Sequence, residues 1–361
     1  MSQIDPCAQR LTSQHLIEPK FDKAGDVVSL LGAVQAQDYA MSKWALGQRM
    51  HGATDAAIEN EISNGAILRT HVLRPTWHYV APADIRWMLA LTGPRVKATL
   101  GHYDRQLGIG PSVIRGAQKV MTTALRGGKN LTRAELAAVM TKAGIRTDGT
   151  QRLARLVMHA ELDGILCSGP RRGKQFTYAL LEERVPPAKK MDRETSLRAL
   201  AGKYFATRGP ATEADFAWWS GLTMADARGA IQSAGSSLEM VVIGGRKHWL
   251  GSSSTLKMKS PLVRLLPNYD EYFIGLKDRS AMHAKLKSLG IQASLGGLSG
   301  HILIIDGQIA GGWKQTLKPK SVAVKIRLLR PLTRVQQRAV ETEATRMAAF
   351  LGLPPQLDIG V

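Results

Sequence analysis

Leu131–Leu181 reads LTRAELAAVMTKAGIRTDGTQRLARLVMHAELDGILCSGPRRGKQFTYALL, and its punctuation predicts four elements in a fixed order. Thr132 stands three residues before Glu135, the spacing of a capping box, and Leu136, Val139 and Met140 follow at helical intervals. A turn from Gly144 to Gly149 leads into a second helix striped by Leu153, Leu156, Val157 and Ala160, and Gly164 stops it. Two short strands then flank a Gly-Pro-Arg-Arg-Gly turn. Helix, turn, helix and basic-tipped hairpin is the order of a winged helix.

The same order recurs on either side. Downstream, Arg198–Thr207 predicts a helix. A second helix opens at Thr212, with Glu213 and Asp215 in its first turn, and TMADARGAIQSAG forms a third. EMVVIGGRKHWL then predicts a hairpin turning at Gly244-Gly245. Upstream, a helix from Val27, a helix over Asp55–Asn64 and strands within Ala66–Pro82 make a looser copy. Beyond Gly251 the pattern changes. HILIIDGQIAGGWKQTL predicts a hairpin at Asp306-Gly307, and SVAVKIRL alternates like a half-buried strand. A last helix spans Thr333–Leu351. The expectation is an α+β chain of three tandem units at 1–128, 129–188 and 189–255, followed by a sheet unit with a terminal helix at 256–361.

The 361 residues carry 49 Lys and Arg against 29 Asp and Glu, a formal net charge of +20. Such a surplus attracts phosphate polyanions and releases their counterions, which makes nucleic acid the first partner to consider. The charge is uneven: Met1–Glu61 holds five basic and eight acidic residues, whereas Lys314–Arg338 holds eight basic and none acidic. No apolar run approaches the roughly 18 residues of a membrane span. The two cysteines, Cys7 and Cys167, are far apart and lack metal-ligand spacing. No metal, cofactor, disulfide or membrane is expected, and two free thiols suit a reducing cytoplasm.

One polar spacing stands out. Gln35 and Gln37 flank a single alanine after the first predicted helix; in extended backbone both amides lie on one face. Glutamine cannot serve as a general base, but it can accept and donate hydrogen bonds and so fix a water. Taken alone, such a pair is more often polar surface.

Four segments resemble the AlkZ-like DNA glycosylases, winged-helix proteins that excise alkylated bases: Val34–Arg49 (VQAQDYAMSKWALGQR), Leu73–Leu89 (LRPTWHYVAPADIRWML), Leu265–Arg279 (LLPNYDEYFIGLKDR) and Ile304–Lys314 (IIDGQIAGGWK). The resemblance covers nearly the whole chain. It implies three tandem winged helices and a C-terminal antiparallel β-barrel with a terminal helix, arranged as a C-shaped clamp. It also implies that Gln35 and Gln37 are catalytic. The Gln-x-Gln form resembles the branch acting on bulky guanine adducts and interstrand crosslinks. The expected activity is monofunctional hydrolysis of the N-glycosidic bond of alkylated purines in double-stranded DNA, by a cytoplasmic, nucleoid-associated monomer.

Asp38, Thr76 and His78 are candidates to line the site, with Asp38 pointing away from Gln37 if the segment is extended. Asp270 is expected to be structural, paired with Arg279. The tryptophans Trp77, Trp87, Trp218 and Trp219 read as core. For DNA contact the candidates are Arg152 and Arg155 on a helix, Arg171, Arg172 and Lys174 at one hairpin tip, Arg246 and Lys247 at another, and Lys314, Lys318 and Lys320 after the late hairpin. Two rivals stand beside the glycosylase: a non-enzymatic winged-helix DNA-binding transcription regulator, which has no use for the Gln pair, and a nuclease, which needs clustered acidic metal ligands.

Overall fold

The computed structural model describes residues 4–252, 256–291 and 300–360. The chain is mixed α and β, with helix-rich segments first and a sheet last. Helices Pro6–Ser13, Ala24–Leu31, Tyr39–Gly47 and Asp55–Asn64 accompany a three-stranded antiparallel sheet of β1 (Ala33–Gln35), β2 (Leu68–His71) and β3 (Trp77–Val80), in the order β1-β3-β2. The register sets Gln35 and Thr70 on either side of His78. Of the two conformations open to the Gln35 segment, extended or turn, it takes the extended one, as an edge strand.

Helices Pro82–Gln106 and Pro111–Leu125 lead to the stretch that opened the sequence reading. There β4 (Leu131–Thr132) enters helix Arg133–Lys142 through the Thr132–Glu135 capping box. Helix Thr150–Leu162 and the strands β5 (Leu166–Ser168) and β6 (Thr177–Leu180) complete it. Leu136, Met140, Leu156, Val157 and Ala160 are buried together. Helices Arg193–Arg208, Glu213–Ser220 and Met224–Ala234 follow, then β7 (Glu239–Ile243) and β8 (Arg246–Leu250). Gly244 and Gly245 take φ of 56° and 74°, the positive pair that a two-residue turn of this hand demands.

The last part corrects one expectation. β9 (Val263–Leu266), β10 (His301–Ile305), β11 (Gln308–Lys318), β12 (Ser321–Leu328) and β13 (Pro355–Gly360) form an open sheet in the order β13-β12-β11-β10-β9; among the described residues it does not close into a barrel. Nor is it wholly antiparallel, because helix Arg334–Phe350 returns the chain so that β13 runs parallel to β12. That helix packs against both edge strands, β9 and β13, and buries Val340, Ala344 and Met347 with Val322, Val324 and Ile326. The sheet face is covered by a helix, so burial does not require the edges to meet. The same core takes in Val27, Leu31, Val34 and Trp44, so the start and end of the chain share one apolar interior.

Candidate active site

The site is built around the end of β1. Ala36 donates its main-chain N–H to the Trp77 carbonyl at 2.7 Å, holding the segment against β3. Gln35 is buried at 8% exposure, whereas Gln37, two residues on, is exposed. Each amide is held by the Arg74–Thr76 segment. Nη2 of Arg74 donates to Oε1 of Gln35 at 2.9 Å, and the Thr76 hydroxyl donates to Oε1 of Gln37 at 2.8 Å. An arginine can only donate, so it fixes which end of the Gln35 amide faces it; Nε2 must point elsewhere. A hydroxyl can donate or accept, so Thr76 constrains Gln37 less.

His78 lies opposite Gln35 in the sheet and is wholly buried. Its Nδ1 sits 3.1 Å from the Thr76 carbonyl, which can only accept, so that nitrogen carries the proton. Nε2 is then a lone-pair site, buried and without a hydrogen-bond partner among the described residues. Burial, and after it the charge of Arg74, holds the imidazole well below its ordinary pKa. Asp38 caps helix Tyr39–Gly47, accepting from the Met41 N–H at 3.2 Å. The structure thus gathers Gln35, Gln37, Thr76 and His78, and gives Asp38 a structural duty beside them.

Beneath the glutamines runs a buried ionic network. Oε1 of Glu271 accepts the main-chain N–H of Gln35 at 2.9 Å. Its Oε2 accepts from Arg208 at 2.6 and 3.0 Å and from the Trp219 indole at 2.9 Å. Arg208 also donates to the carbonyls of Leu31 and Ala33, gripping the chain on both sides of the turn into β1. Asp270, expected to pair with Arg279, pairs instead with Arg49 through two contacts of 2.9 Å, both side chains fully buried. Tyr272 N–H also donates to Asp270, so both its oxygens are spent before Arg279 could reach it. Arg279 donates to the Phe273 carbonyl and lies 5.4 Å from the Trp218 ring centre.

The expected DNA contacts divide. Arg152 is a correction: only 8% exposed, it donates to the carbonyls of Arg146 and Leu107 and ties a loop to a helix end. Its side chain turns inward because the helix-end carbonyl of Leu107 and the loop carbonyl of Arg146 need donors. Arg155 lies over the Tyr103 ring at 5.4 Å. Arg171 is half-buried between Tyr39 and Phe176, 3.6 Å from Glu59, so the hairpin tip leans on the helix after Gln37. Arg172 pairs with Glu135 and Arg246 with Asp278, while Lys174 and Lys247 are exposed. Lys314, Lys318 and Lys320 are exposed along β11 and its turn, joined by Lys325 and Arg327 on β12.

Sequence reasoning missed Arg74, Glu271 and Arg208. The first two stand inside quoted segments, LRPTW and NYDEYF, and could have been marked as polar residues in apolar surroundings. Arg208 carried no signal.

Three comparisons bear on this arrangement. The chain matches the family described as DNA glycosylase AlkZ-like over residues 28–350. It is 25% identical over 365 residues to the interstrand DNA cross-link repair glycosylase of Streptomyces sahachiroi, covering 96% of this chain and 95% of that one. The solved structure of Streptomyces sahachiroi DNA glycosylase AlkZ has a similar fold, with a TM-score of 0.78 over 98% of each chain at 22% identity.

Proposed function

This chain belongs to the AlkZ-like family of DNA glycosylases, and from that premise we propose that it excises N7-alkylated guanines, bulky adducts and interstrand crosslinks among them, using Gln35 and Gln37 to place the attacking water. A base alkylated at N7 is cationic and leaves as a neutral molecule, taking the electron pair of the glycosidic bond. No acid is needed to protonate it, unlike the leaving group of an ordinary glycosidase. Water then bonds to the sugar carbon and loses its proton to solvent, because neither amide can keep it. The enzyme's task is to orient that water and to tolerate an oxocarbenium-like sugar.

The observation that carries this reading is the pair of held amides, Gln35 on Arg74 and Gln37 on Thr76. Each Oε1 has a second lone pair and each Nε2 its two hydrogens, enough to position a water from two sides. Polar side chains merely facing solvent have no need of such partners. We read the three helix-and-strand units as tandem winged helices, bounded near 128, 188 and 255, that with the last sheet clamp a duplex as a monomer. Among the described residues no helix is long and apolar enough to cross a membrane.

The test is incubation with duplexes bearing N7-methylguanine or an interstrand crosslink, scored for abasic sites. Base release is expected from the wild type and not from Gln35→Ala plus Gln37→Ala, which should still bind DNA. A wild type that releases no base from either duplex overturns the reading in favour of a non-enzymatic DNA-binding protein.

A further inference from the structure

Among the described residues, Arg74 on Gln35 and Arg279 across the Trp218 ring make hydrogen bonds and ring contacts only to neutral groups, while Glu271 and Asp215 act on them only through space. Arg74 donates to Gln35 Oε1 at 2.9 Å and to the Trp218 carbonyl at 3.4 Å, and its guanidinium lies 4.7 Å from the Trp218 ring centre. Arg279 donates through Nε to the Phe273 carbonyl, with its guanidinium 4.4 Å from the Phe273 ring centre and 5.4 Å from that of Trp218. The neighbouring carboxylates are committed elsewhere. Glu271 is taken by Arg208, the Trp219 indole and the Gln35 amide. Asp215 accepts the main-chain N–H groups of Lys277, Asp278 and Thr212 and the Thr212 hydroxyl. Both arginines are partly buried, where a cation costs more than in water.

Stacking on an indole and donating to a carbonyl fixes a guanidinium in place without neutralising it. The terminal nitrogens of Arg279 form no hydrogen bond among the described residues and are not buried. These features specify a ligand that is anionic, presents oxygens to a guanidinium fork, and lies beside Gln35, which Arg74 holds. A phosphodiester meets all three conditions.

We propose that Arg74 and Arg279, carried on Trp218, form the seat for the phosphodiester next to the reacting nucleotide. Arg74 thereby links two tasks: it sets the Gln35 amide and grips the backbone that carries the scissile bond. Positive charge close to a cationic base and an oxocarbenium-like sugar would oppose the reaction, and a phosphate between them cancels that opposition. The proposal rests on the glycosylase reading for the identity of the reacting nucleotide.

The experiment measures binding rather than excision, so it stays readable if the glycosylase reading fails. Affinities are determined for a duplex holding a tetrahydrofuran abasic analogue, with the wild type and Arg279→Gln. Single phosphates are replaced by neutral methylphosphonates within three positions of the analogue and at remote positions. Arg279→Gln should weaken binding by about tenfold and lower the slope of log affinity against log salt by about one. A methylphosphonate flanking the analogue should weaken the wild type by a similar factor but Arg279→Gln by much less, and remote replacements should weaken both equally. Arg279→Lys, which keeps the charge and loses the fork, supplies the protein arm if Arg279→Gln does not fold. Losses that multiply independently at every flanking position, or coupling found only at remote phosphates, overturn the proposal.

Discussion

The main-chain amide of Gln35 donates to the carboxylate of Glu271, 236 residues further along the chain, at 2.9 Å. Glu271 and its partner Arg208 are wholly buried. Removing one member of such a pair strands the other charge and costs about 3–5 kcal/mol. Glu271→Ala should lose stability in that range by urea unfolding, and so should Arg208→Ala. The double variant should lose clearly less than the sum of the two, since the second removal relieves the stranded charge.

The two glutamines should separate stability from rate. Gln37 is exposed, and Gln37→Ala is expected to change unfolding free energy by no more than about 0.5 kcal/mol. Gln35 is buried on Arg74, and Gln35→Ala should cost about 1–3 kcal/mol by leaving that guanidinium short of an acceptor. Single-turnover excision should fall by about a hundredfold or more in each. A Gln37→Ala protein that keeps the wild-type rate would remove Gln37 from the chemistry.

Acid should weaken the fold through three imidazoles, His78 buried and His301 and His15 half-buried. Burial holds His78 well below its ordinary 6.5, with Arg74 adding to the shift, and burial also lowers His301 and His15. Just below pH 6.5 the unfolded chain binds protons that the native protein refuses, so their contribution is intact above that pH and declines as pH falls through the native values. Urea midpoints taken between about pH 7.5 and 5 should show the decline. His78→Gln should flatten it by up to one proton; an unchanged slope would show that His78 is not the responsible group.

Arg152 should behave as a structural residue. Its donors serve the carbonyls of Arg146 and Leu107, and Arg152→Ala should cost about 1–3 kcal/mol of stability. The salt dependence of DNA affinity should not move. A slope lowered by about one would restore Arg152 to the phosphate contacts.

Local chemistry made much of the fold legible. The Thr132–Glu135 box, the Gly244-Gly245 and Asp306-Gly307 turns and the alternation over SVAVKIRL are short-range signals, settled by neighbours a few residues apart, and each element stands where it was expected. The barrel was not legible, because whether a sheet closes depends on what covers its edges, and here the terminal helix reaches both. The Asp270–Arg279 pairing failed for a related reason. Proximity along the chain suggested Arg279, but Arg49 arrives from 221 residues away and takes both carboxylate oxygens.

The sequence by itself determined the residue types in the site and a cationic surplus suited to DNA. Only the tertiary structure decided which partners those residues have. It placed Arg74 on one amide and Thr76 on the other, and set Glu271 under the strand. It withdrew Arg152 from the surface and left Arg74 and Arg279 stacked on Trp218 with no carboxylate hydrogen-bonded to either among the described residues. A side chain's charge is a property of its own atoms, while its partner is chosen by which distant segments share a core, and that choice is made only when the chain packs.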